Sequence, residues 1–490
     1  MGGARRGARV SYRQTGHGYF ERRRLARHAG VWSLWALGVG AVISGDFFGW
    51  NFGLGAGGFG GLALAALLTT VMYVCLCCSM AEMAAALPHT GGAYSFARSG
   101  LGPWGGFVTG LAENMEYVLM PAVIVVGIGS YPGAVFGTPE ALDPLWWLAA
   151  YAAFVTLHVR GTALALGFAL ALTLTALAIL AVFFVAAVPH FSMAHALDIE
   201  PAAGGSRWLP HGWAGVAWAM PFAIWFYLAI EQLPLAAEES HAPGRDLPRA
   251  MLLALATLVV TGFLVMFLNS GVAPGAQALA SSASPLLLGF RTVLGAGASA
   301  EILALVAVAG LLASFHSIMF AYARNIFSLS RAGYFPAWLS LTHGGRRTPH
   351  AALVTGAVVG YAVALAIHYA DALFGAVPVA AVLLNMAVFG AVISYALQML
   401  AFLALRRRLP GIERPFVSPL GVAGAWVALA IALATLLFLL LNPAYRIGVW
   451  GSAAWFALGL LYFALRARRR LVHSPEEAFA LSHRGAAGLE

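Results

Sequence analysis

The sequence predicts an all-α polytopic membrane protein of about twelve transmembrane helices, and three observations carry that prediction. Of the 490 residues, 61% are hydrophobic and only 10% are charged, against roughly 25% charged in an ordinary soluble domain. Apolar runs of about 20 residues, the length that crosses a bilayer, recur from Val31 to the arginine cluster at Arg466. Most of the basic residues fall in every second connection, with few arginines in the others, which is the pattern that fixes orientation in a membrane.

The predicted spans run over residues 31–56, 60–87, 104–136, 144–159 and 162–189 for helices 1 to 5. Helices 6 to 10 follow at 211–237, 249–273, 297–327, 350–370 and 373–405, and helices 11 and 12 at 419–441 and 446–465. An arginine-rich tail, 1–30, precedes the transmembrane domain 31–466, and a second tail, 467–490, follows it. Arg5, Arg6, Arg9, Arg13, Arg22, Arg23, Arg24 and Arg27 lie before helix 1, Arg98 after helix 2 and Arg160 after helix 4. Arg245 and Arg249 follow helix 6, Arg331, Arg346 and Arg347 follow helix 8, Arg406, Arg407 and Arg408 follow helix 10, and Arg466 to Arg470 follow helix 12. The intervening connections carry Glu140, Asp143, Asp198, Glu200 and Asp371 instead. This alternation predicts an inner-membrane protein with both termini cytoplasmic. The net charge of +9 therefore serves topology, and all 28 basic residues are arginine, with no lysine. The bilayer is the expected partner and nucleic acid is not.

The first apolar run exceeds the roughly 7 to 15 residues of a signal h-region, so it is expected to persist as helix 1. Cys75, Cys77 and Cys78 all fall inside helix 2, where a C-x-x-C with no βαβ context is packing rather than redox chemistry.

Function is sought where the apolar pattern is interrupted, because transporters bind cargo at mid-membrane where broken helices line a cavity. Helix 1 reads LGVGAVISGDFFGWNFGL, placing Asp46 among Gly38, Gly40, Gly45 and Gly49. A carboxylate at the centre of a membrane helix costs roughly 2.5 to 3.5 kcal/mol on insertion scales, so it is a functional candidate by default. The run GAGGFG that follows has the G-x-G-x-x-G spelling, but no strand precedes it and it is not a dinucleotide site.

Helix 3 carries Glu113 and Glu116 three residues apart, on neighbouring positions of one helical face, with Tyr117 next. Glu113, nearer the cytoplasmic end, is expected to be interfacial or ion-paired. Glu116 is the deeper candidate. Helix 6 carries Glu231 between Pro221 and Pro234. It stands five helices after helix 1, which suggests two corresponding halves of five. Glu238 and Glu239 close helix 6, where Arg245 and Arg249 are the expected partners in a gate or structural ion pair. In helix 8, Ser314, His316 and Ser317 sit well inside the span. His316 is either a proton shuttle or an interhelical hydrogen-bonding group.

A pocket walled by Asp46, Glu116 and Glu231, with no arginine or lysine to neutralise them, favours a cation. Ser44 and Gly45 would add backbone at the break in helix 1. Tyr117, Trp225 and Tyr227 are either packing residues or cation-π faces for an ammonium, each worth about 0.5 to 2 kcal/mol. An enzyme is not expected: there is no H-E-x-x-H, no G-x-S-x-G and no histidine pair at metal-ligand spacing. No metal or cofactor is called for.

Glu82 to Gly110, EMAAALPHTGGAYSFARSGLGPWGGFVTG, resembles the helix 2 to helix 3 signature of the amino acid-polyamine-organocation (APC) transporters. EESHAPGRDLPRA, from Glu238, and ARNIFSLSRAGYFPAWLS, from Ala323, resemble that superfamily's loops after helices 6 and 8. The resemblance implies a five-plus-five inverted repeat of the leucine-transporter-like fold, with broken helices 1 and 6 and two further helices. The segments GVGAVISGDFFGWNFGL, EYVLMPAVIVVGIG and WFYLAIEQLPLAAEE look most like the ethanolamine permease branch, which implies import of a small ammonium without a carboxylate. The alternative is an amino acid permease of the same family. Two departures stand out: Asp46 replaces a glycine of the amino acid carriers' helix 1 motif, and Ile230 and Gln232 flank Glu231 where glycine is common. Proton-coupled relatives use a helix 5 lysine that is absent here. The coupling candidates are therefore H+ through His316 or a carboxylate, Na+ held by Ser314 and Ser317, or the membrane potential alone.

Overall fold

The computed structural model describes residues 10–15, 18–136, 138–282, 284–295, 298–370 and 379–473. Arg5, Arg6, Arg9, Asp371 and the tail beyond residue 473 lie outside the described residues. Among the described residues there is helix and no extended sheet, only two isolated bridges, Tyr12 with Leu471 and Ala29 with Ser240.

The first apolar run does not form one helix. It gives α1 (Val31–Val42), a four-residue turn of helix α2 (Ser44–Phe47), and then an extended residue, Phe48 (φ −160, ψ 168). Gly49 follows with φ 95. Helix resumes in α3 (Phe52–Ala86), which is itself interrupted at Gly58 (φ 70, ψ 178), so residues 52–57 complete the first span and 59–86 form the second. The glycines around Asp46 thus do mark a break.

The next elements are α4 (Gly92–Leu101), α5 (Pro103–Phe136), α6 (Asp143–Arg160) and α7 (Thr162–Ala187). The second half opens with α8 (Gly212–Ala223), which passes through a 3-10 turn, Ile224–Phe226, into a ten-residue 3-10 segment, Ile230–Glu239. The hinge between them is Ala229, at φ 81. No glycine supplies this break; an alanine holds the left-handed conformation, which only the surrounding packing can impose. Then come α9 (Pro243–Gly271), α10 (Ala298–Arg331), α11 (His350–His368) and α12 (Val379–Arg408), followed by α13 (Gly421–Leu441) and α14 (Arg446–Leu465). Nine helical segments among the described residues are long and apolar enough to cross a membrane, and the interrupted Val31–Phe47 is a further, shorter apolar helix. The chain is an all-α polytopic membrane protein whose two five-helix halves each begin with a broken helix.

The two broken helices occupy the centre. α1 packs on α7, α9, α10 and the segment 230–239, while α3 lies along α8, and α5 is held between α10 and α12. Lipid-facing surfaces stay apolar, with Val185, Val260, Val358, Leu441 and Leu458 exposed. The broken helices meet backbone to backbone. A Cβ built on Gly45 would stand 2.0 Å from the Trp225 carbonyl oxygen, so no side chain fits there.

Gly45→Ala is expected to destabilise the purified protein, since overpacking of this kind costs about 1 to 3 kcal/mol. Thermal unfolding of the variant beside Gly167→Ala, whose added methyl meets nothing within 4 Å, checks this: only the former should unfold at lower temperature.

Candidate functional site

Breaking two helices inside a bilayer frees backbone groups that lipid cannot satisfy, and side chains satisfy them here. Ser314 of α10 donates from its hydroxyl to the Gly40 carbonyl (2.9 Å) and accepts from the Ser44 N–H (3.0 Å), bridging the first break. Asn51 accepts from the Gly49 N–H and donates to the carbonyls of Leu279 (2.7 Å) and Ser282 (2.9 Å). Gln232 donates to the Leu37 carbonyl at 3.2 Å, tying the second broken helix to the first.

At this crossing the chain buries three carboxyl groups. Asp46, Glu116 and Glu231 are essentially fully buried, and no oxygen of the three has a hydrogen-bond partner by strict geometry. Glu116 and Glu231 face one another. Two facing carboxyl groups require one positive charge between them, a proton or another cation. Glu231 also faces the backbone N–H groups of Ala229 and its own residue at the second break, and the phenol of Tyr395. Tyr73 donates to Tyr395 (2.9 Å), so two tyrosines lie beside the glutamate pair, and the Tyr73 ring lies 5.1 Å from that of Tyr227. Tyr227 is hydrogen-bonded to Thr70 at 2.6 Å and faces Asp46 on its other side. Asp46 itself faces Thr261 of α9. The structure therefore joins Glu116 and Glu231 directly, and it places Asp46 beside Tyr227, whose ring packs against that of Tyr73.

Tyr73 and Tyr395 were not among the sequence candidates. Their signal was a phenol inside an apolar span, which needs a polar partner when buried.

The remaining candidates separate. Tyr117 is buried and its hydroxyl meets Glu113 at 3.5 Å. Glu113 is not interfacial or ion-paired as expected. It is fully buried, and Asn325 donates to it at 3.3 Å. The Trp225 ring lies over Gly49 and beside Phe48, on the side of the pocket away from the arginine-rich face. Ser317 points at Gly40, and its hydroxyl has no partner. His316 turns away from the pocket: its Nε2 meets the Ala165 carbonyl at 2.9 Å and its ring stacks on His158. That is the interhelical arrangement of the two the sequence allowed.

Glu238 and Glu239 find other partners than the expected Arg245 and Arg249. Glu239 receives Nε and Nη2 of Arg324 (2.9 and 2.7 Å) and the Thr162 hydroxyl (2.9 Å). Arg324 is 2% exposed, a buried arginine within a membrane-embedded helix whose charge is paired with this one acid. Glu238 pairs with Arg331 of α10 and with His89, 2.9 Å away. Arg245 pairs instead with its neighbour Asp246, and Arg249 is exposed. The correction has a simple cause: α10 descends beside the end of the segment 230–239 and brings its arginines inward, whereas Arg245 and Arg249 point outward from the first turns of α9.

The same face is closed by backbone pairing of Ala29 with Ser240, with the N–H groups of His28 and Ala29 donating to the Glu239 carbonyl at 2.8 Å. Arg23 reinforces it through Ser340 (2.7 Å) and the Ala337 carbonyl (3.0 Å). Burial lowers the Arg23 guanidinium and raises the Tyr19 phenol, which lies under it with the cation 3.8 Å from the ring centroid.

Comparison with known proteins agrees with this architecture. A family model described as amino acid permease matches residues 34–470. The chain is 31% identical to an uncharacterized transporter of Rhizobium meliloti over 337 residues, 68% of this chain and 71% of that one. It is 26% identical to the branched-chain amino acid permease of Bacillus subtilis, over 91% of this chain and 94% of the relative. It is 24% identical to the methylthioribose transporter of the same organism, again over 91% and 94%. The chain belongs to the amino acid permease family, and it is a membrane transporter rather than an enzyme.

Removing one member of the Glu239–Arg324 pair leaves a buried charge uncompensated, which costs about 3 to 5 kcal/mol. Glu239→Gln and Arg324→Gln are each expected to lower the unfolding temperature sharply. The double variant should recover much of the loss, measured by fluorescence-detected thermal unfolding in detergent.

Proposed function

We propose that this permease moves a small ammonium compound across the membrane by alternating access of its two broken helices, with ethanolamine as the cargo. The observation that carries the proposal is the set of three buried carboxyl groups, Asp46, Glu116 and Glu231, with no fixed cation beside them among the described residues. The buried arginine of the same helix as Ser314, Arg324, is already taken by Glu239. A cargo carboxylate would need free N–H groups at a helix break. At the second break the Glu231 carboxyl faces those groups itself, and at the first break the Ser44 N–H is held by Ser314. An ammonium without a carboxylate suits this arrangement better than a zwitterion. The tyrosines around the pocket offer ring faces and hydroxyls to such a cargo.

Uptake is coupled, in this reading, to a proton exchanged at the Glu116–Glu231 pair. His316 is turned to α7, and Ser314 is spent on the break in helix 1, which supports the carboxyl pair over either of them. The arginine-rich face is the cytoplasmic one, by the positive-inside rule. A second reading, an amino acid cargo, is favoured by the relatives, since the Bacillus subtilis protein matched over 91% of this chain is a branched-chain amino acid permease.

Proteoliposome uptake of labelled ethanolamine, leucine and choline separates the readings. Saturable ethanolamine uptake driven by an inward proton gradient is expected, and leucine uptake without it would sink the ammonium proposal. Asp46→Asn and Glu231→Gln should fold normally and lose transport efficiency by about 10-fold or more, corresponding to ~1.4 kcal/mol of lost interaction. Wild-type rates in both variants would return these acids to structural roles.

A further inference from the structure

At the arginine-rich face, apart from the central pocket, three stretches of chain distant in sequence enclose a cavity of about 500 Å3. Its walls come from the N-terminal segment (Arg13, Tyr19), the turn after α10 (Phe335) and the end of α14 with the residues beyond it (Tyr462, Arg466, Arg470). These stretches are knit by backbone bonds: Ser11 N–H to the Arg468 carbonyl (2.9 Å), Arg13 N–H to the Leu471 carbonyl (2.7 Å) and Val472 N–H to the Ala332 carbonyl (2.9 Å). The cavity is therefore part of the fold.

Its chemistry is one-sided. Three arginines line it, and no acidic residue does among the described residues. Arg466 and Arg470 lie beside the Tyr462 phenol, and Arg13 lies beside that of Tyr19. Four other arginines of this face, Arg324, Arg331, Arg406 and Arg414, meet a carboxylate, whereas Arg13, Arg466 and Arg470 are exposed and line a wall that holds no acid among the described residues. A cavity wall that offers guanidinium and phenol donors, with no acidic residue among its described residues, matches a phosphate, which guanidinium groups bind through paired N–H donors. The position identifies the source. The cavity opens where α14 ends, immediately past Leu458, Leu461 and Leu465, three exposed leucines at helical spacing on its lipid-facing side. A phosphate at Arg466 and Arg470 would have its acyl chains against those leucines.

We propose that this cavity binds the phosphate headgroup of an anionic phospholipid. Basic pockets at the membrane boundary recognise such headgroups. The bound lipid bridges the N-terminal segment, the turn after α10 and the C-terminal segment. Tyr19, in the cavity wall, donates to the Arg331 carbonyl at 3.0 Å, and Arg331 holds Glu238 at the end of the second broken helix. Occupancy is thereby linked to closure of this face.

The test is thermal unfolding of the full-length protein in detergent, titrated separately with phosphatidylglycerol, phosphatidylcholine and inorganic phosphate. Phosphatidylglycerol is expected to raise the unfolding temperature by several degrees, the other two far less. The double substitution Arg466→Gln/Arg470→Gln, at two exposed positions, should abolish the shift while leaving the lipid-free unfolding temperature unchanged, and Arg466→Lys/Arg470→Lys should restore part of it. Arg207→Gln, in an opposite-face loop, should behave as wild type. An equal shift from phosphatidylcholine, or one that survives the double substitution, would overturn the site. A full shift from inorganic phosphate alone would overturn the lipid as its source. Should the double variant unfold early without lipid, native mass spectrometry of Arg13→Gln decides: undiminished phosphatidylglycerol retention would refute the proposal.

Discussion

The structure depends on one constraint: backbone freed by breaking a helix in lipid must be satisfied by the protein, because no water is there to do it. Both breaks are answered from neighbouring helices. Ser314 reaches from α10 to both sides of the first break, Asn51 ties its far end to the loop at Leu279 and Ser282, and Gln232 carries the second broken helix onto the first. These bonds fix the approach of Gly45 to the Trp225 carbonyl. That approach in turn sets Asp46 beside Tyr227 and Glu231 opposite Glu116. The acids are where they are because the breaks are where they are.

Charge is then distributed in two regimes. Towards the arginine-rich face the acids are held by fixed cations: Glu239 with Arg324, Glu238 with Arg331 and His89, Glu82 with Arg406 and Arg414. These pairs join elements far apart in the chain, and burying either charge alone would be costly. At the centre no acid is paired with a cation among the described residues. The contrast does not come from any shortage of arginine, since Arg324 lies only eight residues beyond His316 on the same helix. It comes from the orientation of α10, whose final turns present their arginines to the segment 230–239 while the turns above present serines to α1.

The amino-acid pattern made some of this legible and left the rest hidden, for physical reasons. Span positions follow from hydropathy, a property of contiguous residues, and the breaks after Asp46 and at Gly58 follow from local glycine density. The break at Ala229 was not marked, because an alanine holds a left-handed conformation only when tertiary packing enforces it. The partners of Glu238 and Glu239 were misassigned to Arg245 and Arg249 for a related reason. Proximity along the chain is a fair guide within one helix, and a poor one where a loop turns the next helix outward. Tyr73 and Tyr395 were missed because a single tyrosine in an apolar run looks like packing until two helices bring two phenols within 2.9 Å.

A folded protein that leaves three central carboxyl groups without fixed partners accepts a cost that hydrophobic residues would avoid. An arginine there would remove that cost, but under the proposed ammonium cargo it would also occupy permanently the place that cargo has to enter and leave. Mobile charge resolves the conflict. In the proposed mechanism a proton or an ammonium neutralises the acids in one state and departs in another, so the free energy of the closed state would rise and fall with occupancy. The fixed pairs at the arginine-rich face hold that closure together, and under the same proposal the acids at the centre would make it conditional on what they bind.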